Sequence, residues 1–176
     1  IINFIYLTFL IDDQIIKNFF YLICLSLSVN LFFNFLPKYN KLKMFTGNGG
    51  SLFLGFFISF LIIYFYKIHS IHPAYLIWTC WYPVYDFLYV TFLRIIKKRS
   101  FYIADNNHLH HTIFKIYNKS HLKTILFIGF TNISIIFLGY SVCKNFGNLF
   151  SLILFSILFL FFCFFHFFLE KKYNNN

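Results

Sequence analysis

The chain has 176 residues, of which 60% are hydrophobic, 26% aromatic and only 11% charged, with a mean hydropathy of +0.71. Soluble domains are about one-quarter charged and half apolar, so the composition excludes an ordinary soluble domain and predicts an integral membrane protein. The net charge of +10 does not indicate a nucleic-acid partner, because the basic residues cluster between apolar segments, as in the cytoplasmic loops of membrane proteins.

Apolar segments long enough to cross a bilayer recur along the chain. A spanning helix needs about 20 mostly apolar residues, and five candidates lie at residues 16–36, 51–66, 74–96, 123–142 and 148–169. Residues 1–11 are too short alone and are expected to belong to a sixth span. The sequence therefore predicts an all-α, polytopic transmembrane bundle, with residues 1–176 as one integral membrane domain. Because the chain starts at Ile1 and has a single methionine, Met44, we expect it to be the later part of a longer protein.

The distribution of lysine and arginine predicts the orientation. The segments at 37–50 and 97–122 and the tail with Lys171 and Lys172 are rich in basic residues, whereas the alternate loops carry only Lys17, Lys67 and Lys144. Positive residues favour the cytoplasmic side. The loops 37–50 and 97–122 and the C-terminus are therefore predicted to be cytoplasmic, which agrees with the alternation of five spans.

Two polar features interrupt the apolar segments before the second basic loop. The first is Gly47-Asn48-Gly49-Gly50-Ser51 at the start of a predicted helix, where glycines allow close backbone approach and unpaired N–H groups favour an anion. A flexible loop with Ser51 as an ordinary helix cap is the alternative. The second is Asp86, the only acid inside a complete apolar span. Such a group costs on the order of 3 kcal/mol and usually faces the bundle interior or a cavity. A structural Asp bonded to a neighbouring helix is the alternative.

Histidines are concentrated in the second basic loop. Three of the chain's seven lie within four residues, at His108, His110 and His111, shortly after Asp105. Imidazoles can donate to phosphate oxygens, carry protons or bind metal near neutral pH. Zinc is disfavoured, because the segment has no nearby Cys or Glu at a familiar zinc spacing. A cationic, imidazole-rich loop suits a diphosphate better.

Four ordered motifs resemble one family of membrane enzymes. Residues 43–55 are similar to its "K-I-F-M-G-D-A-G-S-L-F-L-G", residues 33–37 to the end of the preceding helix, residues 83–86 to its "P-L-x-D", and residues 94–111 to its arginine-rich and histidine-rich loop. The family is the polyprenyl-phosphate N-acetylhexosamine-1-phosphate transferases, which include the phospho-MurNAc-pentapeptide translocase. The resemblance is close over residues 30–114, and the last two spans match by topology only.

The resemblance implies a reaction and its partners. A UDP-linked amino sugar would give its sugar-1-phosphate to undecaprenyl or another polyprenyl phosphate at the cytoplasmic face of a bacterial inner membrane, starting a lipid-linked surface glycan. Mg²⁺ would bridge the diphosphate, with Mn²⁺ as an alternative. A homodimer is an open alternative to a monomer. The implied substrate-binding residues are the three histidines of the basic loop together with Arg94, Arg99, Gly47 and Ser51.

Departures from the family pattern carry their own predictions. Asn48 stands where most of the family has an Asp that helps to hold magnesium, and a neutral amide is a weaker ligand for a hard cation. The family's earlier Asp-Asp and Asn/Asp-Gly motifs are not found, since Asp12-Asp13 is predicted to lie in a non-cytoplasmic loop. The catalytic carboxylates are thus expected upstream of Ile1, and the chain alone is expected to be inactive. The rival hypothesis is a transporter or non-catalytic scaffold, with Asp86 lining a polar path and pH-sensing histidines.

Overall fold

The computed structural model describes residues 1–35, 47–98, 100 and 108–174. The regular elements in these residues are all helical, which confirms the all-α prediction. In chain order they are α1 (Ile2–Phe9), α2 (Gln14–Phe35), α3 (Gly47–Ile68), α4 (Pro73–Leu76), a 3₁₀ helix (Ile77–Cys80), α5 (Trp81–Ile96), α6 (Leu109–Ile116), α7 (His121–Phe146) and α8 (Asn148–Asn174).

Three helices of the described chain are long and apolar enough to cross a membrane. They cover Gln14–Phe33, His121–Phe146 and Asn148–Lys172, and Leu52–Ile68 is a shorter apolar helix. These positions agree with four of the predicted segments. The chain is therefore a multi-pass membrane protein, although only three of the five predicted spans meet this length and hydropathy.

The segment predicted as one span at 74–96 is divided into α4, the 3₁₀ helix and α5. Pro83 lies in the first turn of α5, where its missing N–H removes no helical hydrogen bond. In one continuous α-helix its ring would clash with the carbonyl group four residues earlier, at Thr79, which instead belongs to the 3₁₀ segment. Proline therefore begins a new helix here rather than kinking a single long one.

The described structure separates into two compact units, at Ile1–Leu76 and Ile77–Asn176. The core of the first unit is formed by side chains of α1, α2 and α3, among them Phe4, Leu7, Phe20 and Phe65. Asp13 begins α2, because its Oδ1 accepts the backbone N–H of Ile15 at 2.8 Å. A carboxylate at this position satisfies an otherwise unpaired N–H group and favours the helix dipole.

The second unit is built around the hairpin of α7 and α8. Gly147 joins the two helices with φ +86°, a conformation that residues with a Cβ rarely adopt. Trp78, which is fully buried, donates from Nε1 to Ser151 Oγ at 2.9 Å and thereby ties the 3₁₀ helix to α8. The hairpin and this tie position α5, which carries the candidate site.

Gly139→Ala is expected to lower the stability of the second unit. A Cβ at Gly139 would lie 2.2 Å from ring atoms of Trp78, and overpacking of this kind costs about 1–3 kcal/mol. The measurement is the thermal unfolding midpoint of the purified chain in detergent. Gly55→Ala is the matched control, because a Cβ there meets nothing within 4 Å and alanine is the better helix former. Equal midpoints for the two variants would contradict the packing argument.

Candidate functional site

Helix α5 presents one buried face to the second unit. Its buried positions are Trp81, Tyr85, Asp86, Tyr89, Val90 and Leu93, which repeat at the helical spacing of three to four residues. Asp86 is the only charged residue among them and is 6% exposed. An unpaired buried carboxylate is strongly unfavourable. The groups bonded to Asp86 therefore indicate which part of the chain packs on this face of α5.

Both carboxylate oxygens of Asp86 are engaged by the histidine segment. Oδ2 lies 2.7 Å from Nδ1 of His108, and Oδ1 accepts the backbone N–H of Leu109, the first residue of α6, at 2.8 Å. A carboxylate can only accept, so the Nδ1 proton lies on the ring and Nε2 is the nitrogen left for other chemistry. Asp86 therefore sets the tautomer of His108 and caps α6 at the same time.

These two hydrogen bonds agree with both the structural and the functional interpretation of Asp86. The bond to the Leu109 N–H is the structural one, in which an intramembrane Asp is bonded to a neighbouring helix. The bond to His108 is one that a functional carboxylate would make, because a carboxylate behind an imidazole orients the ring. The His108 side chain is 34% exposed while that of Asp86 is 9% exposed, so the imidazole is the accessible member of the pair.

The three histidine rings form a compact cluster. The ring centroids of His110 and His111 are 4.2 Å apart, and those of His108 and His110 are 5.6 Å apart in a stacked arrangement. The hydroxyl group of Tyr82 lies 3.5 Å from Nδ1 of His110. Tyr82 is four residues before Asp86 and so shares its face of α5. We name His108, His110, His111 and Asp86 the imidazole cluster.

The pKa of His110 is lowered within this cluster. Partial burial is the largest cause, and the neighbouring imidazoles of His111 and His108 act in the same direction, while the Asp86 carboxylate opposes them. Since an ordinary histidine titrates near 6.5, His110 is mostly neutral at physiological pH. A neutral imidazole has one donor and one acceptor nitrogen, so it can both donate to a phosphate oxygen and accept a proton.

A second set of polar contacts joins α5 to α8. The Tyr89 hydroxyl donates to Glu170 Oε2 at 3.1 Å, and Lys97 Nζ lies 3.2 Å from Glu170 Oε1. The ring of His166, which is fully buried, stacks on Tyr89 with centroids 4.1 Å apart. Neither ring nitrogen of His166 has a hydrogen-bond partner among the described residues. These contacts hold the C-terminal half of α5 against the last helix.

Sequence reasoning missed most of these contacts. It did not single out Tyr82, Tyr89 or Glu170. The spacing of Tyr82 and Asp86 by four residues was a usable signal, because it places both on one helical face. The pairing of Tyr89 with Glu170 joins residues 81 positions apart, and no local pattern predicts it.

The remaining predicted site residues lie elsewhere or outside the described residues. Gly47, Asn48 and Ser51 are in the first two turns of α3, in the first unit. Arg94 lies in the last turn of α5. Arg99 and Asp105 fall outside the described residues, as does most of the loop 37–50. The structure thus brings together Asp86 and the three histidines, and their roles as substrate-binding residues stay predictions.

Comparison with known proteins gives partial matches to one group of enzymes. The chain is 33% identical over 104 residues to a Bacillus subtilis protein named probable undecaprenyl-phosphate N-acetylglucosaminyl 1-phosphate transferase, a match covering 57% of this chain and 28% of that protein. It is 30% identical over 77 residues to the Salmonella typhi undecaprenyl-phosphate alpha-N-acetylglucosaminyl 1-phosphate transferase (43% and 21%) and 32% identical over 87 residues to the Haemophilus influenzae one (48% and 24%).

The chain is a homologue of these transferases. The family resemblance carried by the four motifs is therefore confirmed. The chain spans about a quarter of the length of these curated relatives. No protein-family profile matches it, and no solved structure matches it.

Proposed function

We propose that this chain is part of an enzyme that transfers a UDP-linked N-acetylamino-sugar 1-phosphate to undecaprenyl phosphate. The reaction would release UMP and leave a lipid-linked diphosphate sugar that starts a cell-surface glycan. The observation that carries the proposal is the double engagement of Asp86, which holds His108 at 2.7 Å and the first N–H of α6 at 2.8 Å. The homology supports the same reaction class, because the relatives are named for it.

The imidazole cluster is suited to bind the donor's diphosphate. The Asp86 carboxylate already accepts the Leu109 N–H and opposes an anion at the start of α6, so the imidazoles rather than the helix terminus would contact phosphate oxygens. His108, with Nδ1 held by Asp86, would donate from Nε2 to a phosphate oxygen as an imidazolium with a proton on both nitrogens, whereas the neutral ring would accept a proton at Nε2. The mostly neutral His110 would donate from one nitrogen. Arg94, in the last turn of α5, and Arg99 would add positive charge for the anionic substrate.

The proposed reaction would use Mg²⁺, but the described residues do not supply a complete site for it. Among them no group of three or more His, Cys, Asp or Glu side chains could hold a metal ion, so the described residues do not fit a complete magnesium site. We propose that the carboxylate ligands of magnesium belong to residues other than the described ones, and that Asn48 is at most a weak ligand. This chain alone is therefore expected to be inactive.

The membrane arrangement completes the proposal. We propose that the chain has the five spans predicted from its sequence, with the loops 37–50 and 97–122 at the cytoplasmic face of the bacterial inner membrane. The 3₁₀ helix and α5 would cross the bilayer as one interrupted span. Backbone groups at such interruptions are tolerated when they are buried in protein, and Trp78 and Thr79 in the 3₁₀ helix are buried.

The test measures turnover and binding separately. UMP release from UDP-GlcNAc and undecaprenyl phosphate is assayed with the chain alone and with a chimera that adds the preceding part of the Bacillus subtilis relative. Turnover by the chimera and none by the chain alone is expected. Clear turnover by the chain alone would contradict the expectation that the catalytic carboxylates lie outside it. An inactive chimera, together with a chain that binds no UDP-GlcNAc, would favour the scaffold hypothesis.

A further inference from the structure

The proposed reaction gives no role to His166, a fully buried histidine in the C-terminal half of α8. Its ring lies between two aromatic rings, because it stacks on Tyr89 and meets Phe162 edge-on with centroids 5.7 Å apart. Neither Nδ1 nor Nε2 has a hydrogen-bond partner among the described residues. An imidazole always carries at least one N–H donor, and a buried donor without a partner is unfavourable and rare in folded proteins. Packing alone therefore does not account for a histidine at this position.

The nearest functional group to consider is the Asp86 carboxylate. Tyr89, on which His166 stacks, is three residues after Asp86 and shares its buried face of α5. The groups that act on His166 electrostatically are Asp86, Glu170 and His108, and Asp86 has the largest effect of the three. Asp86 is therefore the acceptor that the His166 ring is best placed to reach.

Asp86 thus lies between two imidazoles that belong to different helices. In the arrangement that the structure records, Oδ2 is 2.7 Å from Nδ1 of His108, and His166 has no partner. The other oxygen, Oδ1, is held by the Leu109 N–H, so the start of α6 stays bonded whichever ring occupies Oδ2. His108 is partly exposed and can turn to water or to a ligand, whereas His166 is enclosed. Oδ2 is therefore an acceptor for which two rings compete.

We infer that His166 is a positioning residue that competes with His108 for Oδ2 of Asp86. In one arrangement Asp86 holds His108, as in the structure. In the other, His166 donates to Oδ2 and His108 turns away from the carboxylate. The use of this exchange in donor binding rests on the proposed function. An anionic donor favours the first arrangement, because a protonated His108 on a carboxylate makes a charge-assisted hydrogen bond. Donor binding thus selects one of two existing arrangements.

The first experiment removes His108 and asks whether His166 takes its place. In the His108→Ala background, His166→Gln keeps an N–H donor for Asp86, whereas His166→Leu has none. The unfolding midpoint in detergent is expected to be about 2–4 °C higher for the Gln variant than for the Leu variant. In the unmodified background the order is expected to reverse, because Asp86 already has His108 and a buried amide without a partner is unfavourable. The same order in both backgrounds would reject the competition, whichever residue ranks higher.

The second experiment observes the ring itself and needs only one substitution. Nitrogen NMR of labelled histidine is recorded for the unmodified chain and for His108→Ala, with the His166 signals assigned by their loss in His166→Leu. In His108→Ala the His166 signals are expected to move to those of a ring that donates to a carboxylate. His121→Ala, the matched control, should leave them in place. Unchanged His166 signals in His108→Ala would overturn the inference even if the double variants do not fold.

The third measurement connects the exchange to the donor. His166→Leu removes the competing arrangement, so it is expected to bind UDP-GlcNAc about two- to fivefold more tightly than the unmodified chain. His166→Gln, which can still compete, should bind like the unmodified chain. A purely structural histidine predicts no gain, so unchanged or weaker binding in His166→Leu would reject its role in donor binding. If no variant bound UDP-GlcNAc while the stability order still reversed, the proposed function would fail and the competition for Asp86 would stand.

Discussion

Asp86→Asn is expected to reduce sugar-1-phosphate transfer by about 100-fold or more in the chimera. The amide oxygen can still accept the Leu109 N–H, but the amide N–H₂ group would face Nδ1 of His108 in place of Oδ2. A donor at that position favours the opposite tautomer, with the proton on Nε2, so that Nε2 can still donate to a phosphate oxygen but can no longer accept a proton. The turnover number should fall more than the KM for UDP-GlcNAc changes, since the ring remains in place.

The same variant has a spectroscopic readout that a purely structural role would not change. Nitrogen NMR of labelled histidine should show the proton of His108 on Nδ1 in the unmodified chain and on Nε2 in Asp86→Asn. Asp13→Asn is the matched control, because Asp13 caps α2 and Asn caps a helix nearly as well. If Asp86→Asn kept full turnover while the tautomer reversed, the positioning role of Asp86 would be rejected.

His108→Ala is expected to weaken UDP-GlcNAc binding by about tenfold to a hundredfold, since it removes the Nε2–H donor of the imidazolium, and a hydrogen bond to a charged group is worth about 1.5–3 kcal/mol. Calorimetry on the purified chain measures this affinity. Removing the imidazole also leaves Oδ2 of Asp86 without the partner that it has at 2.7 Å, so the unfolding temperature should fall as well. His121→Ala, which removes an imidazole that packs against the ring of Phe114, is the control and should bind UDP-GlcNAc normally.

Combining the two substitutions tests whether Asp86 acts through His108. If it does, the double variant Asp86→Asn with His108→Ala should be no slower in transfer than the more impaired single variant, because residues that act as a unit are not additive. Transfer rates of the chimera and its three variants give the coupling. Multiplicative losses would show that the two side chains contribute independently.

The sequence was sufficient to locate the helices because apolar composition has a length requirement in a bilayer. Residues 16–36, 123–142 and 148–169 were predicted from that rule, and α2, α7 and α8 cover nearly all of them. At 74–96 the rule did not predict the division into α4, the 3₁₀ helix and α5, because apolar composition continues through the change of helix type. Composition does not record a 3₁₀ segment, whose cause is the backbone geometry that Pro83 requires.

The candidate site was predicted in part. The density of imidazoles at residues 108–111 and an acid inside an apolar segment are visible in the sequence, and each indicated chemistry through the cost of burying a polar group. Their pairing was not predicted. Asp86 and His108 are 22 positions apart, and no helical or strand periodicity relates residues across a loop.

By itself the sequence determined the membrane environment, the helical class and the residue types available to bind a diphosphate, because these follow from hydropathy and side-chain chemistry. Only the tertiary structure decided that one carboxylate serves both His108 and the N-terminus of α6, and that the Tyr82 hydroxyl lies beside His110. Both features depend on how α5 packs against α6, α7 and α8. Such packing is set by the shapes of side chains distant in the chain, so local patterns do not contain it.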